Sequence, residues 1–273
     1  MAPLLECVIN VSEGSRAEVI GAIAAAAGDS LLDLHSDAAH NRSVVTIGGL
    51  DVLDAAEAIA GTAVERLDLA AHRGVHPRLG VLDVVPFVPL DGGRIRPAGD
   101  LRAALTARAA FATWAAGTLA LPCFLYGPER TLPNVRRTAF RGLDPDLGPK
   151  TPDPHRGAVC VGARQALVAF NLVLEEASVD QAREIARSLR SPEVRALGLR
   201  VESGAQVSCN LVAPFRVGPG AVYDRVSKFA SVAACELVGL IPAGVLDAED
   251  RRRWDLLDLA PERCIEARLA ARR

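Results

Sequence analysis

Hydrophobic and polar positions follow two different periods in the first half of the chain. Alternation at every second residue predicts strands, and a period of about 3.6 residues predicts helices. The predicted strands are LLECVINVS, SLLDLHSD, RSVVTIGG, GVLDVVPFVPL and LPCFLYG. The predicted helices are SRAEVIGAIAAAAG, DVLDAAEAIAGTAVERLDLAAH and DLRAALTARAAFATWAAGTLA. Because Pro86 and Pro89 cannot donate a backbone hydrogen bond, we expect GVLDVVPFVPL to lie at a sheet edge or to bend.

The second half repeats this order after a segment without a period. Residues 128–156 are rich in Pro, Gly, Asp and Arg, and we expect a long loop there. The strands predicted after it are ALVAFNLVL, ALGLRVE, AQVSCNLV and CELVGLIPAGVL. The helices predicted after it are SVDQAREIARSLR, with Ser178 as a candidate cap, PGAVYDRVSKFASVA and a closing helix in APERCIEARLAARR.

Each half therefore has the order β-α-β-β-α-β, with further elements added to the first half. That order is the split βαβ unit of ferredoxin-like folds, a sheet with helices on one face. We predict an α/β (α+β) fold of two tandem ferredoxin-like subdomains, residues 1–165 and 166–273, with a ligand groove between or beneath the sheets. The other face of each sheet must be covered by the other half, by a second subunit or by a ligand.

Composition narrows the class of protein. The 273 residues are 50% hydrophobic and carry a net charge of −2, with both signs interspersed. No basic stripe predicts nucleic-acid binding, and no apolar run approaches the roughly 20 residues of a membrane span. The N-terminus has no pattern of a secretory signal, so we expect a soluble, cytoplasmic protein. The six cysteines are scattered, which predicts reduced thiols rather than a disulfide framework.

Polar clusters border the strands of the first half, at NVSEG, DLHSDAAHNR, HRGVHPRLG and YGPERTLPNVRR. Neighbouring strand ends meet in such a sheet, so we expect these segments to converge. Pro77 biases the backbone of His76 toward an extended conformation. A histidine held in this way suits general acid–base catalysis near neutral pH. The alternative interpretation is an exposed, inert histidine in a turn.

A second histidine precedes this one. His72 lies at the end of a predicted helix, where a charged imidazole suits the helix dipole, so we interpret it as a cap. His72 and His76 also form an H-x-x-x-H pair that, with His35, Asp37 and His40, would offer metal ligands. That spacing places both imidazoles on one face only in a helix, and the glycine and proline nearby disfavour a helix. We therefore predict no metal.

Other polar side chains are candidates to hold an anionic ligand. Five arginines suit bidentate binding of carboxylates, with surface solvation as the alternative for each: Arg42, Arg78, Arg130, Arg136 and Arg137. Asn10 and Asn41, at strand ends, are candidates to orient a ligand or to form turns. Asp33 and Asp83 lie inside apolar strands, and a buried carboxylate needs a partner. Either aspartate is expected to orient His76 or to pair with a structural arginine.

Some common site motifs are absent from the sequence. There is no G-x-G-x-x-G after a strand and no G-x-x-x-x-G-K-[ST], so a cradle for nucleotide phosphates is not predicted. There is also no G-x-S-x-G, the motif that places a nucleophilic serine between a strand and a helix.

The same segments resemble the glutamate formiminotransferases (formimidoyltransferases), which also form the N-terminal part of formiminotransferase-cyclodeaminase. The matching stretches run along both halves of the chain: LLECVINVSEG, NRSVVTIGG, HRGVHPRLGVLDVVPFVPL, FLYG…RTLPNVR, GARQALVAFNLVL, AQVSCNLV and ELVGLIP. Of these, HPRLGVLDVVPFVP is the most specific.

The resemblance implies transfer of a formimino group from N-formimino-L-glutamate to tetrahydrofolate, the acceptor substrate, in histidine degradation. It implies two α/β subdomains that form a folate groove, usually in a homodimer, and it places the catalytic histidine at His76. One histidine can take the proton of the attacking folate amine and give one to the leaving glutamate nitrogen. The candidates for binding the substrate and folate are Asn10, Asp33, His35, Asp37, Asn41, Arg42, Arg78, Asp83, Arg130 and Arg136.

The chain departs from the family pattern at two positions near this histidine. In the animal enzymes an aspartate, a candidate partner of the catalytic histidine, occupies the position of His35, and here Asp37 follows two residues later. Val75 stands where the family has a glutamate. The chain is shorter than the animal module and no cyclodeaminase domain follows, so we expect any cyclodeaminase step on a separate polypeptide. Two alternatives stay open: a related folate one-carbon reaction, for example on 5-formyltetrahydrofolate, and a folate-binding protein without turnover.

Overall fold

The computed structural model describes residues 3–201 and 204–272. Contacts within the chain divide it into two compact units. The first unit comprises Met1–Leu90 and Asp100–Arg164, and the second comprises Asp91–Gly99 and Gln165–Arg273. Residues 91–99 therefore pack with the second unit, although the sequence on both sides of them belongs to the first.

The first unit is a six-stranded sheet with helices. Its strands are β1 (Leu5–Val11), β2 (Leu31–Asp37), β3 (Arg42–Gly49), β4 (Leu82–Pro89), β5 (Cys123–Tyr126) and β6 (Val159–Ala163). Its helices are α1 (Ala17–Ala25), α2 (Val52–Arg66), α3 (Arg102–Thr118) and α4 (Leu132–Thr138). The strand order is β2-β3-β1-β4-β6-β5. The first four strands pair antiparallel in the order of the split βαβ unit, and β6 and β5 extend the sheet in parallel.

Helix α2 shows why the helical pattern was informative. Its buried positions are Val52, Ala55, Ala56, Ile59, Ala60 and Ala63, which recur at intervals of one and three residues along one stripe. Ile59 is fully buried in the same core as Phe87 of β4 and Phe111 of α3. Burial of a side chain of this size contributes about 1.5–3 kcal/mol. The small alanines around it allow the helix to approach the sheet closely.

Strand β4 is not an edge strand, which excludes the first of the two alternatives drawn from its prolines, an edge position or a bend. It lies between β1 and β6 in the sheet. Its pairing with β1 joins Cys7 to Phe87 and Asn10 to Val84, and Pro86 falls in the gap between these pairs. Pro89 is the last residue of the strand. Both prolines therefore occupy positions where a missing backbone donor is tolerated, and the apolar run is long because both faces are buried.

The predicted loop at residues 128–156 contains a helix that the sequence pattern did not indicate. Helix α4 begins after Thr131, whose hydroxyl oxygen accepts from the backbone N–H of Asn134 at 3.3 Å, and Pro133 lies in its first turn. The helix has only seven residues, of which Val135 alone is buried, so it shows no apolar periodicity. Strand β6 was also missed, because its five residues are all buried and do not alternate.

The second unit is a four-stranded sheet with the order β10-β7-β9-β8. Its strands are β7 (Val168–Leu174), β8 (Val194–Val201), β9 (Gly204–Leu211) and β10 (Val232–Val238). Its helices are α5 (Val179–Leu189), α6 (Pro219–Val226), α7 (Ala243–Leu246) and α8 (Ile265–Ala270). From β7 to β10 the order is β-α-β-β-α-β, as predicted. The hydroxyl of Ser178 accepts from the N–H of Gln181 at 3.1 Å, which confirms the predicted cap of α5.

Residues 91–99 are held in the second unit by hydrogen bonds. The backbone N–H and carbonyl of Gly99 bond to the side-chain amide of Gln165 at 3.0 and 2.7 Å. The N–H of Ile95 donates to a carboxylate oxygen of Glu266, on α8, at 3.1 Å.

The two sheets and the order of their elements confirm the predicted fold class. The functional boundary at residues 165–166 stays a prediction. Among the described residues, no helix is both long and apolar enough to cross a membrane.

Candidate active site

A β-bulge sets the position of Asp83 within β4. Asn10 of β1 lies opposite Val84, and Val11 lies opposite Leu82. Asp83 therefore has no opposite residue in β1 and is the extra residue of β4. A bulge re-aims the side chain of its extra residue and bends the strand. The carboxylate of Asp83 is fully buried, and one of its oxygens accepts from the backbone N–H of Leu79 at 2.8 Å. The bulge therefore points a carboxylate at the segment that precedes its own strand.

Two arginines neutralise this buried carboxylate. Arg42, at the start of β3, donates from Nη1 to Oδ2 of Asp83 at 2.6 Å. Arg136, on α4, donates to both carboxylate oxygens, at 2.6 and 3.3 Å. The second arginine also donates to the carbonyl oxygen of Pro77 at 3.0 Å, and Nε of Arg42 donates to Oδ1 of Asn10 at 3.0 Å. The sequence left open whether Asp83 orients the histidine or pairs with arginine, and the geometry is that of the arginine pair.

The electrostatics of this arginine–aspartate–arginine cluster are those of an ionised carboxylate. Burial alone would raise the pKa of Asp83, but the charges and hydrogen bonds of Arg42 and Arg136 outweigh burial and hold the pKa well below its usual range. Two cations and one anion leave a net positive charge. The side chains of the two arginines keep 12% and 19% exposure, so this charge lies close to the surface.

His76 lies close to this cluster, and its ring is held by the next residue. Nδ1 of His76 lies 2.7 Å from the carbonyl oxygen of Pro77, the same oxygen that Arg136 contacts. A carbonyl oxygen can only accept, so Nδ1 carries the proton and Nε2 of the neutral ring keeps its lone pair. The ring is therefore presented as a base through Nε2.

The pKa of His76 is strongly lowered. Burial is the largest cause, the positive charges of Arg42 and Arg136 add to it, and the pKa falls from 6.5 to about 3. Asp83 and the hydrogen bond to Pro77 act in the opposite direction but do not balance these effects. At neutral pH the imidazole is uncharged. A proton placed on it would be released readily, since its conjugate acid is strong.

The loop that carries His76 is fastened to the turn between β2 and β3. Nε2 of His72 donates to the carbonyl oxygen of Asn41 at 2.8 Å, and the side-chain amide of Asn41 donates to the carbonyl oxygen of Arg73 at 2.7 Å. Oδ1 of Asn41 accepts from the N–H of Gly14 at 2.8 Å. A Cβ at Gly74 would lie 2.4 Å from the carbonyl oxygen of His40, so only glycine permits this close approach.

His72 is a cap, as predicted, but of a short 3₁₀ turn and not of a long helix. Helix α2 ends at Arg66, and His72 follows a short 3₁₀ turn, Leu69–Ala71, so the ring does not face the end of a long helix dipole. His72 is 8% exposed, and burial lowers its pKa. It acts as a neutral clamp between its loop and the turn at Asn41.

The turn between β2 and β3 also holds an aspartate–histidine pair. Nδ1 of His40 lies 2.5 Å from Oδ2 of Asp37, and Oδ1 of Asp37 accepts from the backbone N–H of His40 at 2.9 Å. The ring of His40 packs edge to face against the ring of His76, with centroids 6.1 Å apart. Burial would raise the pKa of Asp37, but the hydrogen bonds from His40 outweigh it and lower the pKa to about 2.

The remaining candidates lie in several places. Arg78 donates to the carbonyl oxygens of Gly74 and His76, both at 3.2 Å, and so braces the loop from inside. Asp33 and His35 lie on β2, opposite residues of β3. Arg130 instead forms a bidentate pair with Asp146 at 2.8 and 2.9 Å. Arg137 lies in the last turn of α4. The convergence thus involves His76 together with Asn10, Asp37, Asn41, Arg42, Arg78, Asp83 and Arg136.

The sequence offers His40 only as a candidate metal ligand, whereas the structure places its ring against the ring of His76. The available signal was the spacing D-x-x-H in the turn, which lets an aspartate bond to the backbone and ring of the histidine three residues later. Among the described residues, no group of three or more His, Cys, Asp or Glu side chains is arranged to hold a metal. Each cysteine is a free thiol, and burial raises the pKa of Cys160 beside Asp83.

A cavity of about 360 Å³ lies beside the contact between His72 and Asn41. Glu13, Asn41, Asp68 and His72 are among its lining residues, and His76 is not. Its walls carry both signs of charge, and Oε1 of Glu13 already accepts from the backbone N–H groups of Ser15 and Arg16. The cavity therefore borders the candidate site, but His76 does not line it.

These features define an α/β protein whose first unit presents a neutral histidine over a buried, net positive ion cluster. Residues 4–164 match the formiminotransferase domain, N-terminal subdomain. The chain belongs to the formiminotransferase family, as the motifs indicated.

Curated relatives extend the similarity along the whole chain. A glutamate formimidoyltransferase of Streptococcus pyogenes serotype M1 is 34% identical over 90% of this chain and 91% of its own length. A glutamate formimidoyltransferase of Thermoplasma acidophilum is 31% identical over 89% of each chain. The formimidoyltransferase-cyclodeaminase of Rattus norvegicus is 34% identical over 91% of this chain but only 52% of its own length. The chain thus spans nearly all of the first two relatives and about half of the bifunctional one.

Proposed function

We propose that this chain is a glutamate formimidoyltransferase, a one-carbon group transferase. It transfers the formimino group of N-formimino-L-glutamate to tetrahydrofolate and gives 5-formiminotetrahydrofolate and glutamate. The observation that carries the proposal is the family membership together with His76, the histidine of the most specific motif, presented with its Nε2 lone pair unprotonated. The names of the single-function relatives, which match this chain over nearly their whole lengths, support the same reaction.

In the proposed mechanism, His76 handles the proton. The tetrahydrofolate amine attacks the formimino carbon, and Nε2 of His76 accepts the proton that this nitrogen loses. The tetrahedral intermediate then breaks its bond to the glutamate nitrogen, and the imidazolium returns the proton to that leaving nitrogen. The low pKa of His76 suits the second step, since a strong acid protonates the leaving group readily. The proton count is balanced, and the histidine ends neutral.

The ion cluster supplies the anion-binding character of the proposed site. Both substrates carry carboxylates, and Arg42 and Arg136 together exceed the single charge of Asp83. Their residual exposure supports a role in attracting these carboxylates. Asp83 then acts by holding both guanidinium groups in place, and Asn10 by fixing Nε of Arg42. Direct binding of substrate by Asp33, His35, Asn41, Arg78 and Arg130 stays a prediction, and for Asn41, Arg78 and Arg130 the contacts favour structural roles.

Three further properties belong to the proposal. We expect the protein to work in the cytoplasm, in agreement with the prediction from its sequence. We expect a homodimer, because strands of the second sheet leave apolar residues such as Leu197, Ala233 and Ala234 exposed, and a second subunit would cover them. We propose the transferase activity alone for this chain, because the part of the bifunctional relatives that it matches is about half of their length.

The test is a direct assay of both products. Purified protein is incubated with tetrahydrofolate and N-formimino-L-glutamate, and 5-formiminotetrahydrofolate and glutamate are measured by mass spectrometry. His76→Ala is run beside His155→Ala, a matched control at an exposed histidine. The proposal expects equal amounts of the two products and their loss in His76→Ala only. Turnover of 5-formyltetrahydrofolate instead would support the related one-carbon reaction, and folate binding without turnover would support the binding protein.

A further inference from the structure

The low basicity of His76 poses a physical problem for the proposed reaction. When Nε2 accepts a proton, the imidazolium lies beside two guanidinium groups, Arg42 and Arg136. Asp83 is the nearest anion of the cluster, but it is already shared between both arginines. The site therefore develops an unbalanced positive charge at the moment when the tetrahedral intermediate forms. A second source of negative charge, aimed at His76 from another direction, would stabilise that state.

The aspartate–histidine pair in the turn after β2 has this geometry. Asp37 accepts from His40 twice, once from the ring and once from the backbone, so one carboxylate holds both the ring and the main chain of His40. The ring of His40 packs against the ring of His76, with an angle of 79° between the ring planes. The side chain of Asp37 is 25% exposed, and that of His40 is 8% exposed. The dyad is therefore largely shielded from water.

The tautomer of His40 follows from its partner. A carboxylate accepts, so Nδ1 of His40 carries the proton that bonds to Asp37. Nε2 of His40 is buried and has no hydrogen-bond partner among the described residues. Buried polar atoms without partners are rare in folded proteins and often mark a functional group.

We propose that Asp37 and His40 form a positioning dyad for His76, in which the charge of Asp37, carried through the ring of His40, offsets the positive charge that His76 gains during transfer. The inference rests on the proposed function. The charged and titratable groups around the two rings are Asp37 on the side of His40, and Arg42, Asp83 and Arg136 on the side of His76. Because His40 is buried, it acts through His76 and does not itself contact substrate.

The dyad is tested by variants that keep its shape. His40→Phe keeps a ring against His76 but removes both nitrogens. Asp37→Asn keeps the acceptor for the backbone N–H of His40 but removes the charge. We expect each variant to lower kcat by about tenfold or more while the KM of both substrates changes by less than about threefold. The double variant should be no slower than the slower single variant, because Asp37 acts only through His40.

A second aspartate–histidine pair in the chain provides the matched control. His155 and Asp68 are joined by a contact of 3.0 Å but are 64% and 50% exposed. His155→Phe and Asp68→Asn should leave kcat and KM unchanged. Thermal melting of every variant separates a loss of folded protein from a loss of turnover.

The outcomes distinguish this inference from the proposed function. A wild-type protein that forms neither product would overturn both. A wild-type protein that is active, with His40→Phe as fast as the wild type, would overturn the dyad alone. A loss of kcat that is accompanied by a lower melting temperature would also overturn it, because it would indicate a structural role. So would a double variant whose loss is the product of the two single losses, because the residues would then act independently.

Discussion

The guanidinium of Arg136 forms a bidentate pair with the carboxylate of Asp83, although 53 residues separate them in the chain. The pair joins the short helix α4 to the bulge of β4, and it places a third donor bond on the carbonyl of Pro77. One side chain thus connects the buried charge to the backbone that carries His76. A substitution of Arg136 or Asp83 should therefore alter the loop that carries His76.

Removal of Arg136 should destabilise the protein strongly. We expect Arg136→Ala to lower the free energy of unfolding by about 3–5 kcal/mol, because it leaves the buried carboxylate of Asp83 with one arginine instead of two. Urea unfolding measures the change. Arg130→Ala is the control, since its bidentate pair with Asp146 is about one-quarter exposed, and loss of such a pair costs about 0–1 kcal/mol. Similar costs for the two variants would contradict the importance given to the buried cluster.

Removal of the His76 ring should affect turnover and not folding. We expect His76→Ala to reduce kcat by about a hundredfold or more, as for loss of a general acid–base group. Steady-state kinetics and circular dichroism measure activity and fold. His72→Ala should act differently, with a loss of stability that accompanies a smaller loss of kcat, because His72 clamps the loop through Asn41. If His72→Ala lost as much kcat at unchanged stability, the assignment of the two histidines would be wrong.

The close contact at Gly74 should make this position intolerant of a methyl group. We expect Gly74→Ala to cost about 1–3 kcal/mol of stability and to reduce kcat, because the new Cβ overlaps the carbonyl of His40 and displaces the loop. Gly61→Ala, within α2, is the matched control. Beyond its own helix backbone, no described atom lies within 4 Å of the place that a methyl group would take there, so helix propensity should stabilise the protein by up to about 1 kcal/mol. Opposite signs of the two changes, measured by thermal melting, are the expected result.

Acid should weaken the folded state through His76. The folded protein holds the pKa of His76 at about 3, whereas the unfolded chain has about 6.5, so the unfolded chain binds the extra proton between these values. Stability is therefore full above pH 6.5 and falls as the pH falls through this window, by at most about 1.4 kcal/mol per pH unit for this group. Urea unfolding at pH 7 and pH 5 measures the fall.

His76→Gln provides the comparison for the pH effect, and it should lose less stability between pH 7 and pH 5 than the wild type. His72, whose pKa is also lowered, contributes to the dependence that remains. The pKa of Asp37 is lowered as well, but its contribution to stability is full above pH 3.8 and is lost only as the pH falls from there toward 2. Identical pH dependence in wild type and His76→Gln would show that His76 titrates normally in the folded protein.

Periodicity predicted most elements of the fold because each carries its own apolar stripe or alternation. The positions Val52, Ile59 and Ala63 on α2 identify a helix without knowledge of any other segment. The prolines of β4 could not show whether the strand lies at an edge or bends within the sheet, because proline tolerance depends on which residues of β1 lie opposite. A single strand does not contain that information. Helix α4 was missed because it is stabilised by a cap and by contacts of Arg136 rather than by a stripe of its own.

The candidate site was located by its motifs but not resolved by them. The sequence placed His76, Arg42, Asp83 and Arg136 among the candidates, and it left open two roles for Asp83. Only the register of β1 and β4 creates the bulge that turns this carboxylate toward both arginines. Similarly, the sequence shows that Asp37 and His40 are neighbours, but the contact between His40 and His76 depends on Gly74 and its loop.

The connectivity of the two units has a consequence for how the gene can be divided. The chain passes from one unit to the other after residues 90, 99 and 164. A break after residue 164 would leave Ile95 and Gly99 on the first fragment, while their partners Glu266 and Gln165 would be on the second. No single cut therefore yields two intact pieces. We expect genetic recombination to retain the two units together, because a crossover at any single point would separate parts of one unit. Domains that follow one another along a chain can instead recombine separately.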